Sequence, residues 1–135
     1  MLLPQDILVS IGSDVDIVLA RQQGRTMAAN IGFAATDATL IATAISELAR
    51  NIVMYAQQGE VMMRSVEAAR SKGMLIVARD NGPGIRSIQD ALRDGYSTSG
   101  GLGLGLPGVK RLMDEFAIES ELRRGTIVTV KKWLK

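Results

Sequence analysis

Glu47 and Asn51 stand four residues apart in Ser46-Glu-Leu-Ala-Arg-Asn-Ile52. On a helix such a pair shares one face, its side chains about 40° apart. A carboxylate and an amide oxygen so placed suit a general base and a ligand for a hard cation, although a plain surface pair would have the same spacing. Asp80 ends the apolar run from Met74 and opens Asp80-Asn-Gly82-Pro-Gly84-Ile85. A carboxylate at a strand end can accept from an exocyclic amine, and neighbouring glycines let a flat ring lie against the backbone. An ordinary Asn-Gly/Pro-Gly turn fits the same letters. Six of the 14 glycines fall between Gly95 and Gly108. That density runs straight into a helix, where free amides and the helix N-terminus together make an anion site, with phosphate as the expected occupant.

Two familiar phosphate motifs do not account for this loop. No Gly-Lys pair followed by a hydroxyl exists, so there is no P-loop. Gly103-Leu-Gly105-Leu-Pro-Gly108 matches Gly-x-Gly-x-x-Gly literally. The residues before it, Tyr96-Ser-Thr-Ser-Gly100, are polar and do not form the strand that a dinucleotide fold requires.

These residues need elements to hold them. A short strand is expected over residues 5–11, then a helix capped by Asp14 and stopped by Gly32. The strongest helix starts at Thr36 or Asp37, with Ile41, Ile45, Leu48, Ile52 and Tyr55 as its buried stripe. Residues 60–67 and 74–79 read as strands joined through Ser71-Lys72-Gly73. A short helix is expected over 86–94 and another from Leu106 to Phe116, with Pro107 tolerated in its first turn. Residues 117–122 and 126–133 read as a hairpin turning at Arg124-Gly125. Helices grouped beside an antiparallel-type sheet predict a two-layer α/β (α+β) sandwich.

Composition narrows the chemistry. The 135 residues contain no cysteine and no histidine, which excludes thiolate nucleophiles, Ser-His-Asp triads and metal sites built on nitrogen or sulfur. A metal must therefore be oxygen-ligated, magnesium or calcium. Sixteen basic and 14 acidic residues give a net charge of +2, too small for a polyanion track. Arg123, Arg124, Lys131, Lys132 and Lys135 read as a solvated hairpin face, and with so few aromatic residues no nucleic-acid binding is expected. No basic leader segment and no run of about 18–20 apolar residues is present, so no membrane association and a cytoplasmic location are expected. No repeat or linker divides the chain, and residues 1–135 read as a single domain.

Taken in order, Glu-x3-Asn, Asp-x-Gly-x-Gly, Gly-x-Gly-x-Gly and Gly125-Thr126 resemble the sequence boxes of the GHKL (Bergerat) ATP-binding family. That family includes gyrase-type ATPases, Hsp90, MutL, histidine kinases and anti-sigma serine kinases. The resemblance covers roughly residues 14 to 133 and implies a mixed, mostly antiparallel sheet with helices on one face. Within the family, Asp16-Ile-Val-Leu-Ala-Arg-Gln-Gln23, Ser46 to Ile52, Gly95-Tyr-Ser-Thr-Ser-Gly-Gly-Leu-Gly103 and Leu106-Pro-Gly-Val-Lys-Arg-Leu-Met-Asp-Glu-Phe116 are similar to the stressosome serine/threonine kinases of the anti-sigma-factor kinase branch.

The resemblance implies that Asp80 accepts from the adenine amine of ATP with Thr126 in support, and that Gly82 and Gly84 let the ring pack closely. It implies that Asn51 ligates Mg2+ and that Glu47 is the general base. Thr98, Gly100, Gly101, Leu102, Gly103, Leu104 and Gly105 become the lid over the phosphates. It further implies STAS-domain scaffold proteins as acceptors and a PPM-type serine phosphatase as a second partner. Ser99 stands where related kinases carry an arginine near the γ-phosphate, which implies slow turnover; Arg50 and Lys110 are candidate replacements. Ser46 stands where many histidine kinases have histidine.

Overall fold

The computed structural model describes residues 2–84 and 105–135. Its elements run β1 (Ile7–Ile11), α1 (Asp14–Ile31), α2 (Ala35–Tyr55), β2 (Gly59–Ala68), β3 (Ser71–Asp80), α3 (Gly105–Leu112), β4 (Glu115–Glu121) and β5 (Gly125–Trp133). The strands form one sheet in the order β1-β2-β3-β5-β4. Every neighbouring pair is antiparallel.

Period-two alternation decides which side of the sheet is covered. Val9 and Ile11, Val61 and Met63, Met74, Ile76 and Ala78, and Val128 and Val130 are all buried. They form one face, against which α1 and α2 lay Ile17, Ala20, Ala28, Ile41, Ala44, Ile45 and Leu48. The helices sit close because Gly24 of α1 has no side chain: a Cβ there would run into Ile45 Cδ1 and lie 3.5 Å from Met63 Sδ. No buried side-chain nitrogen or oxygen among the described residues lacks a hydrogen-bond partner.

The ends of elements depart from expectation for local reasons. Ser13, not Asp14, is the N-cap of α1. Asp16 folds back to accept from the Gly12 N–H at 2.8 Å and the Ser13 hydroxyl at 3.3 Å. Gly32 does stop the helix, at φ 121°. The β2–β3 turn falls at Ala69-Arg70, where Ala69 takes a positive φ of 52° and Ala68 pairs with Ser71. Gly73 lies inside β3, where a Cβ would press on the Trp133 ring. Tyr55 is exposed at the end of α2 rather than part of its stripe.

Helix α3 ends at Leu112, before the expected Phe116, because Glu115 and Phe116 already pair with Lys131 and Val130 of β5. Gly125 is the first residue of β5, and the last turn occupies residues 122–124. Lys132 corrects the expected solvated hairpin face. It points to the covered side, is 9% exposed, and its Nζ donates to the Leu112 carbonyl at 2.8 Å. A cation there meets the negative end of α3. The segment expected as a helix over 86–94 lies outside the described residues. Among the described residues no helix is long and apolar enough to cross a membrane.

Candidate functional site

Helix α2 carries the first two groups. Its inward stripe brings Glu47 along with it, so the Glu47 side chain is only 9% exposed. Its Oε1 accepts from Arg50 Nη1 at 2.9 Å, one turn further on. Arg50, at 38% exposure, keeps access to solvent. Asn51 is half-buried on the same helix. Ser46 is turned inward, its hydroxyl donating to the Ala42 carbonyl at 3.0 Å.

The end of α2 and the end of β3 converge over Gly59. A Cβ at Gly59 would lie 2.8 Å from Ile52 Cγ2 and 3.1 Å from Asp80 Cβ. That close approach puts the α2 turn after Asn51 beside the strand end that carries Asp80. Gly82 allows a second close approach just beyond the strand, since a Cβ there would lie 2.8 Å from the Ala56 Cα.

Asp80 closes a tight turn on itself. Its Oδ1 accepts from the Gly82 N–H at 2.9 Å, an arrangement that fixes the carboxylate at the strand end. Gly84 has φ 80° and its backbone lies against Glu121 and Leu122. Pro83 O accepts from the Arg123 N–H at 2.8 Å. The Asn81–Gly84 turn is therefore bound to the tip of the β4–β5 hairpin.

Across the sheet, Asp80 pairs with Thr126 of β5, and Thr126 pairs in turn with Ser120 of β4. The Ser120 and Thr126 hydroxyl oxygens lie 2.9 Å apart, and Ser120 also reaches the Gly125 carbonyl at 3.2 Å. A recess of about 290 Å³ opens here, lined by Asp80, Asn81, Ser120, Gly125 and Thr126, with Arg79, Glu119, Glu121, Arg124 and Ile127 around them. Its rim pairs, Arg124–Glu121 at 3.4 Å and Arg79–Glu60 at 3.8 Å, are exposed and add little to stability.

Asn51, in the last turns of α2, thus precedes the helix turn that approaches Asp80, which pairs with Thr126 at the start of β5; Gly82 and Gly84 lie in the turn just beyond β3, and Glu47 stands one turn before Asn51 on α2. Gly105 opens α3 at φ 66°, the expected loop-to-helix junction, and Lys110 is exposed on α3. Thr98, Ser99, Gly100, Gly101, Leu102, Gly103 and Leu104 lie outside the described residues. Ser120 escaped the sequence reading; only its place in the alternation of the last hairpin could have marked it. Among the described residues no three acidic side chains cluster as a metal cage. The donor set instead fits a hard cation held by one amide oxygen, Asn51, and shared with an anionic ligand.

Residues 36–135 match the family described as histidine kinase-, DNA gyrase B- and HSP90-like ATPases. The chain belongs to this ATPase family. The match takes in α2, β2, β3, α3 and the last hairpin, so each described site residue falls within it. The chain is similar to the serine/threonine-protein kinase RsbT of Bacillus subtilis, with 52% identity over 94% of this chain and 96% of that protein. It is also similar to anti-sigma F factors: that of Geobacillus stearothermophilus is 30% identical over 71% of this chain and 69% of its own. The anti-sigma F factor of Clostridium kluyveri is 28% identical over 71% and 70%. Among solved structures, the catalytic domain of the histidine kinase ThkA superposes with a TM-score of 0.53 at 14% identity, covering 93% of this chain and 95% of that one. The GHKL fold expected from the sequence boxes is the fold observed.

Proposed function

We propose that this GHKL ATPase-family chain is an ATP-dependent protein serine/threonine kinase that also switches between protein partners. The carrying observation is the pairing of Asp80 with Thr126 at a sheet end that α2, the helix bearing the nearly buried carboxylate of Glu47 and the amide of Asn51, approaches over Gly59. The 52% identity to RsbT supports the transfer of kinase chemistry.

In this reading residues 1–135 act as one domain. Asp80, with Thr126 in support, takes the amine of adenine, and Gly82 and Gly84 leave room for the ring. Asn51 holds Mg2+ through its amide oxygen; the ion, when bound, supplies positive charge to the phosphates. Thr98 and the run Gly100, Gly101, Leu102, Gly103, Leu104 and Gly105 give amides to the β- and γ-phosphates, at the entrance to α3. Glu47 takes the proton of the attacking hydroxyl. Phosphoryl transfer has a loose transition state, so positioning and fixed charge supply most of the rate.

The acceptors in this reading are serines or threonines of STAS-domain stressosome proteins (RsbS-like and RsbR-like). Once released from them, the kinase binds and activates a PPM-type phosphatase (RsbU-like) in the cytoplasm, upstream of general stress signalling. The test is label transfer from γ-labelled ATP with magnesium to a STAS-domain protein. Label on the partner with wild type and none with Glu47→Gln supports the reading.

A second reading is a nucleotide-gated binding module with little kinase activity. The similarity to anti-sigma F factors favours it, as does the Arg50 ion pair that engages Glu47. It predicts ATP-dependent partner capture without label transfer.

A further inference from the structure

We infer that Lys132 is a positioning residue for the triphosphate: its ammonium anchors the far end of α3 and so sets where the first amides of that helix stand. This rests on the nucleotide reading above, in which α3 opens at the phosphates, and extends it to a side chain outside every sequence box.

Burial sets Lys132 apart. Among the described residues only Ser46, Glu47 and Lys132 are polar or charged and buried. Ser46 bonds a carbonyl of its own helix, and Glu47 belongs to the site. Lys132 stands on the covered face of β5, in line with Val128 and Val130 and opposite Met74 of β3. An apolar side chain of the same length would continue that face. Taking an ammonium out of water is costly, and apolar replacements of buried charges are often neutral or stabilising. Packing alone gives no reason for a lysine here, whereas a directional bond does.

Helix α3 needs such a bond. It has eight residues, Gly105–Leu112, and is about 12 Å long, too short to persist without tertiary contacts. Leu106 and Val109 bury their side chains in the core, as does Met113 just beyond the helix. Apolar contacts hold the helix down but resist sliding along its axis only weakly, because they have no preferred direction. Lys132 Nζ donates to the Leu112 carbonyl at 2.8 Å, at the last residue of the helix. A short rigid rod carries that fixed point from Leu112 to Gly105 at its head. The chain beyond α3 has its own ties to β5: the Asp114 N–H donates to the Lys131 carbonyl at 2.9 Å, and the Asp114 carboxylate accepts from the Trp133 N–H at 2.8 Å. Those bonds remain when the Lys132 side chain is changed.

The test compares wild type, Lys132→Met, which removes the donor at nearly constant length, and Lys132→Arg, which keeps a cationic donor. Thermal melting is measured together with affinity for magnesium-ATP and for AMP, which has the adenine but lacks the β- and γ-phosphates. Lys132→Met should melt at or above the wild-type temperature and bind AMP as wild type does. Its ATP affinity should fall by roughly three- to tenfold, the scale of one hydrogen bond. Lys132→Arg should keep more of the ATP affinity than Lys132→Met. A lower melting temperature with equal losses for ATP and AMP would make Lys132 a structural tie only and overturn the inference. Unchanged ATP affinity in Lys132→Met would overturn it too, while leaving the nucleotide site standing. Absence of ATP binding in wild type would remove the nucleotide reading itself, and this inference with it.

Discussion

Arg50 Nη1 lies 2.9 Å from Glu47 Oε1, one turn along the same helix, and fixes the direction of a carboxylate that is almost out of solvent. The pair separates two roles. Glu47→Gln keeps the shape and a hydrogen-bond acceptor for Arg50 but removes the base. Magnesium-ATP affinity should stay near wild type while single-turnover transfer falls by about 10²–10⁴-fold. Unchanged transfer in this variant would end the assignment of Glu47.

Asp80→Asn separates fold from ligand binding. An asparagine Oδ1 still accepts from the Gly82 N–H, so the turn that Asp80 makes at 2.9 Å persists. The remaining oxygen becomes an amide donor, opposed to an amine. ATP affinity should drop roughly tenfold or more, the scale of a hydrogen bond to a charged group. The melting temperature should stay close to that of wild type. Calorimetry and melting on one sample read both.

Far from the site, Asp6 receives Arg64 Nε at 2.9 Å and Nη2 at 2.7 Å. The side-chain hydrogen bond from Arg64 holds the Asp6 carboxyl down at about 2, below its ordinary 3.8. A folded value below the unfolded one stabilises at pH above about 4 and loses that contribution as pH falls through 2. Asp6→Asn should therefore melt below wild type at neutral pH. The gap should close on acidification from 4 towards 2. A gap that stays constant over that range would contradict the linkage.

Gly125 tests the backbone beneath the recess. Its φ is 111°, and a Cβ there would run into Asp80 O and lie 2.8 Å from the Asn81 Cα. Gly125→Ala should destabilise by about 1–3 kcal/mol through strain at that φ. It should also weaken ATP binding, because the strained atoms belong to the Asp80 turn. Denaturant unfolding and titration together check this.

Much of this was legible where one periodicity dominates. Ile41, Ile45, Leu48 and Ile52 repeat along α2 without a competing signal, and each is buried. Asp80 and its glycines by themselves fit an ordinary turn, and only their order with the other boxes marks them as a site. The misplaced ends had another origin. Ala69 accepts a left-handed turn that its side chain does not advertise. Phe116 continues an α3 pattern locally, but pairing with Val130 claims it for β4. Lys132 sits in a basic run, and only the strand period reveals that it turns inward. Ser120 draws its meaning from Thr126 and the Gly125 carbonyl, contacts that exist once the hairpin has formed.

The pairing of β3 with β5 has a kinetic consequence. The β2–β3 and β4–β5 hairpins close over short turns, whereas β3 must find β5 across the intervening chain, including α3. Loop-closure entropy makes such a pairing slower than the local ones. Asp80 and Thr126 become neighbours only when it zips. A ligand that needs both residues then binds the docked hairpin alone, and its binding free energy is added to the docking equilibrium. Saturating ATP should therefore slow amide exchange in β5 as far out as Val130, well beyond the atoms it touches.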